Sequence, residues 1–491
     1  MTPEQFREAG HRLIDWIADY RAQVDTMPVR AQVKPGGIKN RLPESPPQKP
    51  ESLDQVMRDL ENIVVPGITQ VQHPMHFGWF PSNASLASVL GDITSSGLGT
   101  LGISWESCPA LTEVEEVVCD WLRQLTGLSE QWEGTIHDTA STACLTALLI
   151  AREKASDYSE NRGGLQAESK PLIVYSTDEA HSSVTKAALL AGFGKTNLRK
   201  VEVDGGTRAM SSAALAACIE QDIANGCVPA VIVASAGSTG VVAFDPVAQI
   251  AQIANQHNIW LHVDAAMAGS AMLLPECRQL WEGVENADSI SWNPHKWMGT
   301  ILDCSLFYVK DPQHLIRVMS TNPSYLRSNV DGEATQYRDW GIPLGRRFRA
   351  LKLWFHLRLD GPDVIRKRLR RDLDNAQWFA TQVEQAAGWR VLAPVNLQTV
   401  CIRHHPAGLE GDELDSHTLA WVNAINQSGE AFMSPSQLDG RWMVRVSIGV
   451  EATTSEHVQR LWTLIQHSAS QAFFETLAKT PGTQRKRKEN D

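Results

Sequence analysis

The feature that most constrains this chain is an alternation of apolar runs and helical patterns beginning near residue 134. Strand-like runs at 171–176 (PLIVYS), 198–203, 230–234 (AVIVA), 259–263, 289–292 and 304–309 are interleaved with helical stretches at 142–154, 182–190, 213–224 and 246–256. A run that is apolar at nearly every position has no polar face to offer water, so both its faces must be covered. Helices between such runs are long enough to act as crossovers. The pattern therefore predicts an α/β fold, with a mostly parallel sheet and helices on both faces. Ligands of such sheets bind beyond the carboxyl ends of the strands, so the polar residues found there carry the most information.

Asp264, in His262-Val263-Asp264-Ala265-Ala266, ends one apolar run. A carboxylate is costly there unless it has a partner. Lys296, in Asn293-Pro294-His295-Lys296-Trp297, follows another run and lacks the neighbours of a surface lysine. A free lysine amine titrates near ~10.4 and is a poor nucleophile while protonated, but it forms an imine with an aldehyde. A carboxylate that keeps a cofactor ring nitrogen protonated lets that ring absorb electrons. The pair points to pyridoxal phosphate (PLP) and to an enzyme. Thr139-Ala140-Ser141-Thr142 precedes a helix, where backbone N–H groups and small hydroxyls can cradle a phosphate. Capping Ser and Thr are common, so this turn gains weight only beside Lys296 and Asp264. His181 follows a strand and opens a helix, where an imidazole could stack on a cofactor ring and meet a substrate carboxylate.

The 491 residues, 43% hydrophobic, suffice for a large core and more than one domain. A formal net charge of -11 argues against a nucleic-acid partner. Eight scattered cysteines without a CxxC pair argue against a metal site or a disulfide framework and fit a reducing cytoplasm. Charged residues interrupt the N-terminal segment, so it does not read as a signal peptide, and no apolar run is long enough to span a bilayer. Thr2-Pro3-Glu4-Gln5 predicts a capped helix start, with Phe6, Leu13, Ile14 and Ile17 on one face. That face packs either on its own domain or across a dimer. Pro and Gly at 35, 36, 37, 43, 46 and 47 predict an extended connector. An amphipathic helix is expected at 350–358 and a strand at 442–447. The expected domains are an N-terminal helical dimerisation arm (1–85), a large cofactor-binding domain (86–360), a small α+β domain (361–475) and a flexible basic tail (476–491) containing Arg485-Lys486-Arg487-Lys488.

With ThrAlaSer at 139–141, AlaHisSerSer at 180–183, HisValAspAlaAla at 262–266 and AsnProHisLysTrp at 293–297 in order, the chain resembles the group II PLP-dependent decarboxylases, in particular the aromatic L-amino-acid decarboxylases. The resemblance runs from about residue 6 to 470. It implies the PLP-dependent transferase fold type I and an obligate homodimer with active sites at the interface. It makes Lys296 the Schiff-base lysine, pairs Asp264 with the ring nitrogen, and places Ala266 and His181 on opposite ring faces. Thr139, Ala140, Ser141, Asn293 and His295 would hold the phosphate, with a backbone N–H of Gly345 reaching it from the neighbouring subunit. Thr239 would lie near the ring hydroxyl, and Asp245 would support Asp264. Trp79, Phe80 and Ser82 match substrate-pocket positions, and Leu101 and Ile103 match pocket residues of the partner chain. Trp79 departs from the tyrosine frequent there.

Tyr325 would protonate the α-carbon from a mobile loop. In the family, Phe at that position or Asn at the position of His181 goes with aldehyde formation, so both residues imply an amine product. Gly345 accompanies indolic substrates in plant members, which favours tryptophan while leaving phenylalanine, tyrosine and dopa open. The alternatives are a group II decarboxylase of a non-aromatic amino acid, an aromatic aldehyde synthase, and a non-enzymatic PLP-fold binding protein.

Overall fold

The computed structural model describes residues 1–321, 330 and 332–479. Tyr325 and the 485–488 basic run lie outside the described residues. Two compact units are found. The larger comprises residues 82–376 and 393–399. The smaller comprises 1–81, 377–392 and 400–491. The first 81 residues therefore share a unit with the C-terminal segments.

In the larger unit a seven-stranded sheet runs, edge to edge, Glu133–His137, Ser305–Val309, Ser289–Trp292, Trp260–Asp264, Val228–Ser235, Leu172–Ser176, Leu198–Lys200. Only Ser305–Val309 is antiparallel to its neighbours; the remaining pairs are parallel. The central runs are fully apolar because both faces are covered. Ile173, Val174, Val231, Ile232, Val233, Leu261 and Val263 are wholly buried, and each such side chain contributes about 1.5–3 kcal/mol. The helix Ala140–Ala155 buries Ala143, Cys144, Ala147, Leu148 and Ala151, whose small side chains allow close approach to the sheet.

The expected strand at 198–203 stops at Lys200. Beyond it the chain turns into a hairpin-like segment joined by the Val203–Met210 bridge, and the Asp204 carboxylate draws in the N–H groups of Gly206 and Thr207. The helix expected at 350–358 forms as Ala350–Leu359, but it is not amphipathic in the simple sense. Lys352 and His356 are buried, Lys352 because Asp92 and Asp303 take its ammonium at 3.2 and 3.3 Å.

In the smaller unit five strands are ordered His76–Phe77, Phe432–Leu438, Arg441–Ser447, Thr399–His404, Trp389–Val391. The two-residue strand pairs in parallel with Phe432–Leu438, and Val29 N–H on Gly429 O (2.8 Å) is a second tie of the N-terminal segment to this unit. The helix Pro3–Ala22 carries the expected reciprocal cap between Thr2 and Gln5. None of its residues is buried, and Phe6 is 65% exposed. Among the described residues no helix is long and apolar enough to cross a membrane.

Candidate active site

Three neighbouring strands of the larger unit end in a laced set of backbone bonds. Ala236 N–H donates to Asp264 O at 2.9 Å, Ala265 N–H to Ser291 O at 2.9 Å, and Asn293 N–H to Ala266 O at 2.9 Å. Local sequence makes the ends leave the sheet here: alanines follow Asp264, and Pro294 follows Asn293. Asp264 Oδ1 accepts from Ala266 N–H at 3.1 Å and from Ser291 Oγ at 3.4 Å.

Lys296 sits in a single wide turn, Pro294–Met298, with Lys296 N–H bonded to Asn293 O at 3.0 Å. The turn is held from behind by Trp297 Nε1–H on Asp372 Oδ2 (2.9 Å) and by Arg368 on the carbonyl of Trp297 (3.0 Å). His295 Nδ1 accepts from Cys304 N–H at 3.0 Å, which leaves the ring proton on Nε2. Burial, reinforced by the Lys296 ammonium, lowers the His295 imidazole to about 4, so it is a neutral donor at physiological pH.

His181 caps the helix Ser182–Leu190 through Nδ1, which takes Ser183 N–H at 3.1 Å. Its imidazole is lowered, first by burial and then by the Lys296 ammonium, while the Asp264 carboxylate pulls the other way. Those two opposed influences place Asp264 and Lys296 each within electrostatic reach of His181. The Asp264 charge also acts on Cys144 in the second turn of Ala140–Ala155, so that helix starts beside the same group. Thr139 is its N-cap residue in extended conformation, with no side-chain cap bond. The first-turn N–H groups, which include those of Ala140 and Ser141, thus lack that partner.

Asp245 is buried, with Oδ2 on Ser235 N–H (2.7 Å) and Oδ1 on Met210 N–H (2.7 Å). Ser235 is the register partner of Asp264, so Asp245 buttresses the end of the neighbouring strand. Burial raises its carboxyl to about 6, and the Glu179 charge adds to the rise. Thr239 lies in the partly exposed loop between Ser235 and Asp245.

The remaining expected residues fall in two places. The Gly102–Arg346 bridge brings Leu101 and Gly345 together, and a Cβ built on Gly345 would stand 3.9 Å from Leu101 Cδ1. Gly345 also lines a cavity of about 60 Å³ with His137, Asp138 and Thr142 of its own chain. Ile103 is nearby in sequence and half-buried, as is Ser82. Trp79 and Phe80 belong to the smaller unit. Trp79 adopts a left-handed backbone (φ 53°), its N–H bonds Ser434 Oγ at 2.7 Å, and its ring meets Phe432 at 4.9 Å. Phe80 lies under the Arg445 guanidinium at 4.8 Å.

Sequence reasoning did not single out Ser291, Cys144 or the Trp297–Asp372 brace. Each acts through a neighbour far away in the chain, so only strand register could have revealed it.

PLP fits this set on two structural grounds. His295 keeps its Nε2 proton to donate, and the open helix start beside Asp264 offers N–H groups to a phosphate. The comparisons agree. Residues 35–405 match the family described as "Pyridoxal-dependent decarboxylase conserved domain".

The chain belongs to the pyridoxal-dependent decarboxylase family.

As a member it is a PLP-dependent carboxy-lyase with the fold type I architecture. It is 40% identical to the phenylacetaldehyde synthase of Arabidopsis thaliana, over 96% of this chain and 97% of that one. A solved Oryza sativa TDC with PLP and tryptamine superposes with a TM-score of 0.92 at 34% identity, covering 96% of this chain and 99% of the other. Catharanthus roseus tryptophan decarboxylase in complex with L-tryptophan gives 0.90 at 35% identity, covering 96% and 99%.

Proposed function

We propose that this decarboxylase converts an aromatic L-amino acid to the arylalkylamine and carbon dioxide, with tryptophan favoured among the aromatic substrates. The observation that carries the reading is the lacing of the strand ends that bear Asp264 and Asn293, just before Lys296, with His181 within electrostatic reach of both charges. Bound PLP supplies an electron sink conjugated to the substrate's α-carbon. Lys296 Nζ would hold the cofactor through its aldehyde group. Asp264 would keep the ring nitrogen protonated. His181, whose Nδ1 accepts from Ser183 N–H and whose Nε2–H is free to donate, would cover one ring face and orient the substrate carboxylate. Ala266 packs on the opposite face. Thr139, Ala140, Ser141, Asn293 and His295 bind the phosphate; Thr239 lies by the ring hydroxyl and Asp245 stiffens the strand end beside Asp264. As carbon dioxide leaves, Tyr325 returns a proton to the α-carbon. Orientation and electrostatics do most of this work.

Trp79, Phe80, Ser82, Leu101 and Ile103 form the substrate pocket in this reading, the last two together with Gly345 acting from the neighbouring subunit. The exposed Leu101 (55%) and the uncovered apolar face of Pro3–Ala22 support a homodimer. The tryptamine and L-tryptophan bound by the two solved relatives, with Gly345 in this chain, support an indolic substrate. All eight cysteines are free, which supports a cytoplasmic setting.

The test is mass spectrometry of products from PLP-loaded protein incubated separately with L-Trp, L-Phe, L-Tyr, L-dopa and L-Glu. Aromatic amine is expected, most from L-Trp. Amine from glutamate alone, or aldehyde throughout, overturns the reading. The second outcome has a specific basis in the 40% identity to an aldehyde synthase. Tyr325→Phe is expected to divert product to aldehyde, ammonia and hydrogen peroxide, with consumption of one dioxygen and one water per turnover. Unchanged amine yield removes Tyr325 from the protonation step.

A further inference from the structure

We propose that the Glu179–Arg208 ion pair is a positioning clamp that holds together the segments carrying His181, Thr239 and Asp245. Arg208 donates to Glu179 Oε1 from Nη2 at 2.6 Å and from Nε at 3.2 Å, and both side chains are largely buried, 14% and 13% exposed. In that setting the pair is screened less than a surface pair. Three connections leave it.

Glu179 stands two residues before His181 on the same turn. Its Oε2 lies 2.8 Å from where a Cβ on Gly240 would sit, so the carboxylate lies against the segment next to Thr239, and a side chain at 240 would have to displace it. Arg208 is two residues from Met210, whose N–H is fixed by Asp245 Oδ1. Asp245 in turn holds Ser235 beside Asp264. One carboxylate thereby couples three legs of the site that are far apart in sequence.

The backbone points the same way. Arg208 has φ +62°, a left-handed conformation that an arginine adopts only where its surroundings impose it. The turn is closed by Arg208 N–H on Asp204 O and Asp204 N–H on Ala209 O, each 2.8 Å. A glycine at 208 would satisfy this backbone without strain. The side chain's bond to Glu179 is what a glycine there would lose.

The proposal rests on the reading of this site as the PLP site. Its main readout is PLP binding to the apoprotein, which does not depend on which amino acid is the substrate. In Arg208→Gly the melting temperature is expected to stay within a few degrees of wild type, because relief of backbone strain offsets the lost ion pair. PLP affinity, titrated by the visible absorbance of bound cofactor, should fall about tenfold, with kcat falling more than KM rises. Arg208→Lys should recover part of both. The isosteric Glu179→Gln, which keeps the fold in case the glycine variant does not, should show the same losses in smaller measure. The double variant should be no worse than Arg208→Gly, since each change removes the same contact. Wild-type PLP affinity and kcat in both Arg208→Gly and Glu179→Gln, or fully additive losses in the double variant, overturn the clamp. Normal PLP binding by these variants in a protein that makes no aromatic amine would overturn both; impaired PLP binding without aromatic amine would sink only the substrate reading.

Discussion

Two sets of histidines, one in each unit, have been stripped of water in the same way. In the larger unit burial lowers His181, and brings His262 and His295 to about 4. In the smaller unit burial brings His404 and His417 to about 4. What surrounds them differs. His404 and His417 bond each other, Nδ1 to Nε2 at 2.9 Å, and His404 stacks on Trp389 with ring centroids 4.6 Å apart. His181 and His295 instead feel the Lys296 charge, with Asp264 also acting on His181. In the smaller unit His404 and His417 lie among uncharged aromatic neighbours, although His417 Nδ1 has no hydrogen-bond partner. The larger unit keeps opposite charges at its strand ends, an arrangement costly for stability unless a ligand completes it. A lowered imidazole therefore does not mark a site by itself; the unresolved charges around it do.

The contrast can be broken experimentally. The largest effect is expected from Lys296→Ala, which should abolish the visible absorbance of bound cofactor and reduce turnover by several orders of magnitude. A persisting band places the anchor elsewhere. Asp264→Asn should keep the fold and lower kcat by about a hundredfold or more, because the ring-nitrogen proton loses its counter-charge. A kcat within a few-fold of wild type would separate Asp264 from the ring nitrogen.

A third expectation concerns the smaller unit. The folded values of His404 and His417, about 4, lie below the ordinary unfolded value of ~6.5. The unfolded chain thus binds more protons between those limits. Stability from the pair is fully present above about pH 6.5 and is lost as pH falls toward 4. His417→Leu should flatten the fall of melting temperature over that window and leave kcat at neutral pH near wild type. Parallel melting curves for the two proteins would show that the pair does not govern acid stability. The smallest effect is expected at the exposed Thr2–Gln5 cap. Thr2→Ala should cost about 1 kcal/mol or less of stability, without change in cofactor binding, read by denaturant unfolding beside a PLP titration.

Much of the larger unit was legible in the chain. Doubly covered strands show as apolar runs, and their order along the sequence matches the observed elements at 172–176, 228–235, 260–264, 289–292 and 305–309. Asp264 and Lys296 could be read as candidates because each breaks such a run with a charge. The limits of that reading are equally specific. Lys352 looked like the polar side of an amphipathic helix, but Asp92 and Asp303, distant in sequence, draw it inside. The strand at 198 ends early because Asp204 offers the backbone a local turn. Residues 1–81 join the smaller unit through scattered contacts, the His76–Phe77 pairing, Val29 N–H on Gly429 O and Thr453 Oγ on Pro74 O among them, which are too short to leave a periodic signal.

By itself the sequence determined the alternating sheet, the identity of the charged residues at its carboxyl edge and the family, because hydrophobic periodicity and motif chemistry are local in the chain. Only the tertiary structure decided that Asp264 shares Oδ1 with Ser291, that His181 feels both Asp264 and Lys296, and that Glu179 and Arg208 join across the back of the site. Strand register and side-chain approach arise from contacts between residues tens of positions apart, and no local pattern encodes those distances.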